Sequence, residues 1–315
     1  MKLERGSELR ANGVKRMNTT AIGNSLKLFA IFRSKGLLPT PIYLYLKDVL
    51  LCDYQCLDAE LNSLCLRYDV DALSDSRNLD TLLALHDELE RFAHLAMKRS
   101  LGQLYNDGSL SRAHQGASGG SLELSSVYPP QNEYDPRCFI YGEIEFDSFT
   151  HILNMATNNM SHRRKFVDLG SGAAKAVLWA SLVKSFEILV GIEINPKLHI
   201  MSLGILECFH RKMRSSIYVT PLARTGEPNI ELVLGSFLDL KVHDWTDADV
   251  VFANSASYSD GLMKSLSKCS ADMRAGSRLI TLTQGLTDNA RWKIIYKERA
   301  AMSWGAATVF VHERL

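Results

Sequence analysis

Phe166-Val167-Asp168-Leu169-Gly170-Ser171-Gly172 decides the fold of this 315-residue chain. Phe166-Val167 reads as the end of a buried strand, and 175–186 as a helix with an apolar face. Strand, glycine turn, helix is the unit that brings a backbone close to a nucleotide-like ligand. About 20 residues on, a second strand, Ile188-Leu189-Val190-Gly191-Ile192, ends in Glu193, an acid placed to hold ribose hydroxyls.

The dinucleotide fingerprint G-x-G-x-x-G would need glycine at 175, where the chain has Lys175. The spacing here is G-x-G-x-[G/A], with Ala174 in the third place. An acid-L-G-x-G turn followed by a second acid at the end of the next strand resembles the S-adenosylmethionine (SAM) methyltransferases. In such a site the glycines let the backbone approach the methionine part of the ligand. A tight strand–helix turn with no ligand is the competing reading, and Glu193 argues against it.

Working outward, the strand candidates are 165–169, 188–193, 231–235, 249–254 and 277–283, with helices near 175–186, 196–214 and 259–273. This alternation predicts a parallel-rich α/β sheet. Residues 292–298 and 302–312 read as two adjacent closing strands, where a dinucleotide fold would continue with helices. The expected architecture is therefore a Rossmann-like seven-strand class I SAM methyltransferase sheet with a terminal antiparallel hairpin, over residues 138–315.

Ahead of it the chain changes character. Residues 1–37 carry eight Lys/Arg against Glu4 and Glu8, a balance of +6, although the whole chain is only +1. Such an arm, expected to be flexible, suits a protein that touches DNA and equally suits a solvated terminus; both readings stay open. Residues 38–105 are helical in pattern, most clearly over 78–104, where Leu79, Leu82, Leu83, Leu89, Phe92 and Leu95 keep helical spacing. Residues 106–137 are rich in Gly, Ser, Asn and Pro and read as a linker or long loop. No run of about 18 apolar residues suggests a membrane span, and the arm does not look like a leader peptide. The six cysteines form no C-x-x-C pair or zinc spacing and read as reduced, with no metal expected.

Four further segments sharpen the reading. Tyr141-Gly142-Glu143-Ile144-Glu145-Phe146-Asp147 precedes the first strand, Gly235-Ser236-Phe237-Leu238 follows the third, and Val251-Phe252-Ala253-Asn254-Ser255-Ala256-Ser257-Tyr258 covers the fourth and its exit. Met302-Ser303-Trp304-Gly305 is taken to open the last strand. In this order they resemble the disruptor-of-telomeric-silencing family, histone-3 lysine methyltransferases built on the seven-strand fold rather than the SET fold. The motif style is nearest the divergent protist members.

The resemblance implies SAM as cofactor, S-adenosylhomocysteine as product, histone-3 or the nucleosome as partner, and a nuclear location. Tyr141, Gly142 and Glu143 would fold over the cofactor's amino-acid end. Asp168, Gly170 and Gly172 would line its methionine portion, with Lys175 beside them; Glu193 would bind the ribose, and Ser236 and Phe237 the adenine. Asn254 would sit beside the transferable methyl, with Tyr258 shaping the lysine channel. These residue types suit the chemistry. SAM carries its own leaving group, so the protein has chiefly to align an in-line displacement. The attacking lysine, with an ordinary pKa of about 10.4, must lose its proton, and a dry channel beside a sulfonium favours the neutral amine.

Three departures from the family pattern stand out: Ala174 where glycine is usual, Ser236 where an acid usually meets the adenine amino group, and Asn254-Ser255 where animal and fungal members have two asparagines. A same-fold methyltransferase acting on another protein or on nucleic acid, and a non-catalytic SAM-binding scaffold, are the alternatives. The absence of an Asn-Pro-Pro-Tyr motif disfavours base-amine methylation, and the absence of a glutamate pair in a hairpin disfavours arginine.

Overall fold

The computed structural model describes residues 142–160, 163–184, 186–215, 229–287 and 290–315, together with Ala84, Glu88, Lys98, Gly102, Leu104 and Tyr105, all six helical. The arm, the 106–137 segment, Tyr141 and nearly all of 38–105 lie outside the described residues. Every described residue from Lys98 onward belongs to one compact unit; Ala84 and Glu88 belong to another.

The elements are α1 (Phe146–Thr157), β1 (Lys165–Leu169), α2 (Lys175–Val183), β2 (Ile188–Glu193), α3 (Pro196–Ser215), β3 (Asn229–Leu234) and β4 (Val250–Ala253). They continue with α4 (Asp260–Cys269), β5 (Arg278–Leu282), β6 (Trp292–Met302) and β7 (Gly305–Arg314). One seven-stranded sheet has the order β3-β2-β1-β4-β5-β7-β6. Strands β1 to β5 are mutually parallel, and β7 enters antiparallel between β5 and β6. The expected sheet and its terminal hairpin are both present.

Burial follows sequence pattern. β1 and β4 are buried at every position and β2 at all but its first, as apolar runs covered on both faces require. On one face Val167, Leu169, Val190, Ile192 and Val251 pack with Leu262, Met263 and Leu266 of α4. On the other, Phe149 of α1 meets Phe166, Phe252 and Trp179 with ring centroids 6.3, 5.4 and 5.9 Å apart. Because strand side chains alternate, Asp168 shares the face of Phe166, at the carboxyl end of β1 and directly opposite Phe252 of β4. The reversal from β1 to its two neighbours opens a crevice there, the usual ligand position of such sheets.

Local chemistry sets the helix starts. The Asn195 side-chain carbonyl accepts from the Lys197 and Leu198 N–H groups at 3.0 and 3.4 Å, and Pro196 takes the first helical position of α3. Ser259 caps α4 through Leu262 N–H. Helix α2 stops at Val183, earlier than the apolar pattern suggests, because Lys184 turns extended at φ −138°.

The hairpin corrects one expectation. Met302-Ser303-Trp304-Gly305 does not open the last strand. β6 runs on to Met302, Ser303-Trp304 is a two-residue turn, and Gly305 at φ 144° starts β7. The Ala300–Ala307 and Ala301–Ala306 pairs extend the ladder into a stretch that shows no turn signal until Ser303.

Candidate functional site

The crevice holds a cleft of about 1020 Å³, its open mouth included. Gly142, Glu143, Asp168, Gly170, Lys175, Glu193, Ser236, Phe237, Asn254 and Tyr258 all line it. Of the sequence candidates, Tyr141 lies outside the described residues and Gly172 does not line the wall; Gly172 acts from behind it. Its N–H donates to Glu193 Oε2 at 2.7 Å, while Glu193 Oε1 accepts from Asn195 N–H at 2.7 Å.

The turn that follows β1 explains its own residues. Gly170 and Gly172 have φ of 79° and 54°, the region that favours glycine. Ala174 also lies there, at φ 63° and ψ 19°, fully buried before α2. Its methyl occupies a fully buried place, and the left-handed backbone strains a non-glycine residue. Gly191 of β2 answers to a different need: a Cβ there would lie 2.8 Å from Ser171 Oγ, so the turn can settle only against a bare backbone.

The two acids at the strand ends differ. Glu193 is 6% exposed; burial raises its pKa, and the Asn195, Gly172 and Ile194 N–H groups oppose the rise. Asp168 is 3% exposed, and its Oδ1 has no hydrogen-bond partner among the described residues. Burial first, and then the Glu193 charge, push its carboxyl well above the usual range. Ten buried side-chain polar atoms lack a partner among the described residues, and four of them, Asp168 Oδ1, Ser171 Oγ, Trp179 Nε1 and Asn254 Oδ1, belong to residues of this cleft. Native interiors satisfy nearly all such atoms, and a cluster of exceptions marks a place built for a ligand.

The far wall is a loop laced to the hairpin tip. Glu143 N–H donates to Ser303 Oγ at 3.1 Å, Ser303 N–H returns to the Glu143 carbonyl at 2.8 Å, and Glu145 N–H donates to the Ala301 carbonyl at 3.1 Å. Across the cleft, Asn254 Nδ2 donates to the Gly142 carbonyl at 2.5 Å. Asn254 therefore gives one amide hydrogen to the loop, and its buried carbonyl oxygen has no partner among the described residues. Glu143 also accepts from Lys175 Nζ, whose ammonium stands 5.0 Å from the Trp179 ring centroid and 5.4 Å from that of Tyr105.

At the other end Phe237 is both core and wall. It is 9% exposed, stacks on Tyr258 at 5.8 Å and 16°, and its carbonyl accepts from Trp245 Nε1 at 2.7 Å. Tyr258 Oη donates to the Leu169 carbonyl at 3.0 Å, which fixes the ring beside the glycine turn. Ser236 Oγ accepts from Leu238 N–H at 3.1 Å, so it shapes its own turn.

Sequence reading overlooked three participants. Trp179 stands one helical turn after Lys175 and was legible by that spacing. Ser303 sits in a turn whose place in the hairpin only pairing reveals. Tyr105, whose Oη donates to the Ala173 carbonyl at 3.1 Å, comes from a helix 68 residues away in sequence, and no local signal points to it.

The residues present could receive an adenosyl amino-acid ligand: an apolar surface at Phe237, a buried carboxylate at Glu193, and orphaned acceptors on Asp168 and Asn254. Among the described residues no group of His, Cys, Asp or Glu could hold a metal ion.

A family model described as histone methylation protein DOT1 matches residues 131–302, more than half of the chain. No curated protein sequence matches it. Similar solved structures include TrmN from Thermus thermophilus, at 14% identity over 54% of this chain and 52% of that one, with a TM-score of 0.40. TrmK from M. capricolum, solved with S-adenosylhomocysteine, is 14% identical over 52% of this chain and 67% of that one, with a TM-score of 0.37. The chain thus spans about half the length of the Thermus thermophilus protein.

Proposed function

This chain belongs to the histone methylation protein DOT1 family, and we propose that it transfers methyl groups from SAM to a lysine of the histone-3 globular core in nucleosomes, within the nucleus. The reaction class is SAM-dependent methyl transfer, and SAM is the cofactor. When bound, SAM supplies an electrophilic methyl group together with its leaving group. What remains for the protein is to bind, align and exclude water.

The observation that carries the reading is Asn254. Its Nδ2 donates to the Gly142 carbonyl, its Oδ1 is buried without a partner among the described residues, and the residue lines the cleft. A carbonyl oxygen so held accepts a hydrogen bond from an incoming amine and leaves the amine's lone pair directed elsewhere. Neither His nor Cys is among the cleft-lining residues described, which suits a displacement that needs no covalent intermediate. The Tyr258 ring gives an apolar wall to the amine's approach, where desolvation favours the neutral amine over the ammonium. Asp168 and Glu193 would take the amino-acid ammonium and the ribose hydroxyls, and Gly142 and Glu143 would cover the amino-acid end.

The test is methyl transfer from labelled SAM to reconstituted nucleosomes, with the modified residue mapped by mass spectrometry. Label on a core lysine of histone-3 is expected. It should vanish in Gly170→Arg, because a side chain at φ 79° would be strained and its Cβ would lie 3.1 Å from Tyr258 Oη. Label confined to another protein or to nucleic acid in a whole-cell lysate would overturn the substrate assignment.

A further inference from the structure

We propose that Ser255 is the positioning residue for Asn254: its hydroxyl fastens the start of the loop after β4 to the end of β5 and so fixes where the Asn254 amide stands. The inference rests on the methyl-transfer reading above. It concerns a buried side chain, 1% exposed, that is not among the residues lining the cleft.

Strand β4 is paired on both sides only as far as Ala253, which stands opposite Leu169 of β1 and Thr281 of β5. Asn254 is the first residue past both ladders, at φ −72° and ψ 71°, and a short helical turn over Ser255–Ser257 follows it. Leu282, the next residue of β5, has Val309 of β7 on one side and no β4 residue on the other. Ser255 fills that place. Its Oγ accepts from the Leu282 N–H and donates to the Leu282 carbonyl, both at 2.8 Å. One hydroxyl thus supplies the donor and the acceptor that the backbone of a neighbouring strand would offer.

The anchor is itself firmly held. Thr283 has φ 67°, a region that a β-branched residue enters only when its surroundings force it. Here the Thr283 N–H donates to the Thr308 carbonyl at 2.6 Å, and the Gln284 N–H donates to the Leu282 carbonyl at 2.7 Å. Thr281 Oγ1 donates to the Gln284 carbonyl at 2.7 Å. In the other direction Asn254 grips the Gly142 carbonyl, Glu143 is bonded both ways to Ser303, and Ser303 joins β6 to β7. Because β7 pairs with β5 at Leu282, these contacts close a ring of Ser255, Asn254, the Gly142–Glu143 loop, the hairpin and Leu282. Ser255 is the link beside the residue that meets the amine, where a displacement of about 1 Å can cost about 100-fold in rate.

Single-turnover methyl transfer to nucleosomes tests this on wild type, Ser255→Ala, Asn254→Ala and the double variant, beside calorimetric binding of S-adenosylhomocysteine. Ser255→Ala should lower the rate by about 10–100-fold and weaken S-adenosylhomocysteine binding by much less. In the Asn254→Ala background the same change should cost less than about threefold more, because residues that act through one another are not additive. Two losses in rate that multiply, or a Ser255→Ala as fast as wild type, refute the proposal and leave Ser255 a packing residue. If Ser255→Ala does not fold, Ser255→Cys, whose thiol bonds more weakly, takes its place in the same cycle. Wild type that labels neither nucleosomes nor histones overturns the substrate reading instead, and amide hydrogen exchange then decides the inference. The Glu143 and Glu145 N–H groups should exchange faster than in wild type, by a shared factor, in Ser255→Ala and Asn254→Ala; unchanged exchange in Ser255→Ala refutes the link.

Discussion

Asp168→Asn should make the ligand-free protein more stable and the cofactor weaker, two effects of opposite sign from one atom. In the free protein Asp168 is 3% exposed, its Oδ1 lacks a partner, and burial and Glu193 together push its carboxyl well above the usual range. A buried acceptor without a partner costs about 1–3 kcal/mol, and more when charged. Removing the charge should recover roughly that amount, raising the melting temperature by about 2–4 °C per kcal/mol for a domain of this size. The sign with pH follows from the raised pKa. As pH climbs out of the ordinary carboxylate range, the unfolded chain releases this proton first, so wild type loses stability through the folded-state value. The advantage of Asp168→Asn should therefore be smallest in acid and grow toward neutral pH. Binding should respond in the other direction, since losing a charge-assisted partner for the cofactor's ammonium costs about 1.5–3 kcal/mol, or roughly 10–100-fold in affinity. Scanning calorimetry from pH 5 to 8 and titration with SAM read the two effects separately. A variant less stable than wild type at neutral pH, or one that binds SAM as tightly, refutes the reasoning.

Three further outcomes are expected. Asn254→Ala should lower methyl transfer by about 100-fold or more, weaken S-adenosylhomocysteine binding by much less, and cost about 1 kcal/mol for the lost bond to Gly142; equal losses in rate and binding would deny Asn254 a role in aligning the amine. His312 is 1% exposed, accepts from Leu286 N–H at 3.4 Å, and burial pushes its pKa from 6.5 down to about 4. Its contribution is constant above pH 6.5 and is lost between pH 6.5 and about 4 as the unfolded chain takes up the proton first, by about 3 kcal/mol in all. His312→Gln should flatten urea-melting midpoints across that window, and an unchanged slope would sink the attribution. At Ala174, replacement by Gly relieves about 1–2 kcal/mol of left-handed strain, but it gives up a buried methyl worth about 0.8 kcal/mol and loosens the unfolded chain by about 0.4–1 kcal/mol, so stability should barely move. Ala174→Val, a branched side chain at φ 63° in a fully buried place, should destabilise clearly; a Val variant as stable as wild type in urea would contradict the account.

Much of this protein was determined by local sequence. Apolar runs of β1, β2 and β4 between helical patterns specify a parallel sheet, because strands buried on both faces need helices on each side. The turn declares itself through Gly170 and Gly172, whose positive φ few other residues tolerate, and Glu193 is legible as a strand-end acid by its spacing alone. Tertiary structure decided what these residues do for one another. Glu193 not only faces the cleft but also fastens the turn through Gly172, a bond that exists because parallel pairing sets Asp168 beside Gly191, two residues before Glu193. The hairpin turn at Ser303-Trp304 was displaced from its expected place because cross-strand pairing of alanines, which carry weak local preference, fixes where β6 ends. The loop of Gly142 and Glu143 owes its position to Ser303 and Asn254, 160 and 112 residues away in sequence. Tyr105 reaches Lys175 from a helix that no motif joins to the turn. Periodicity and turn chemistry are properties of neighbouring residues and can be read along the chain. Which acceptor is left without a donor appears only once distant segments have closed around the cleft.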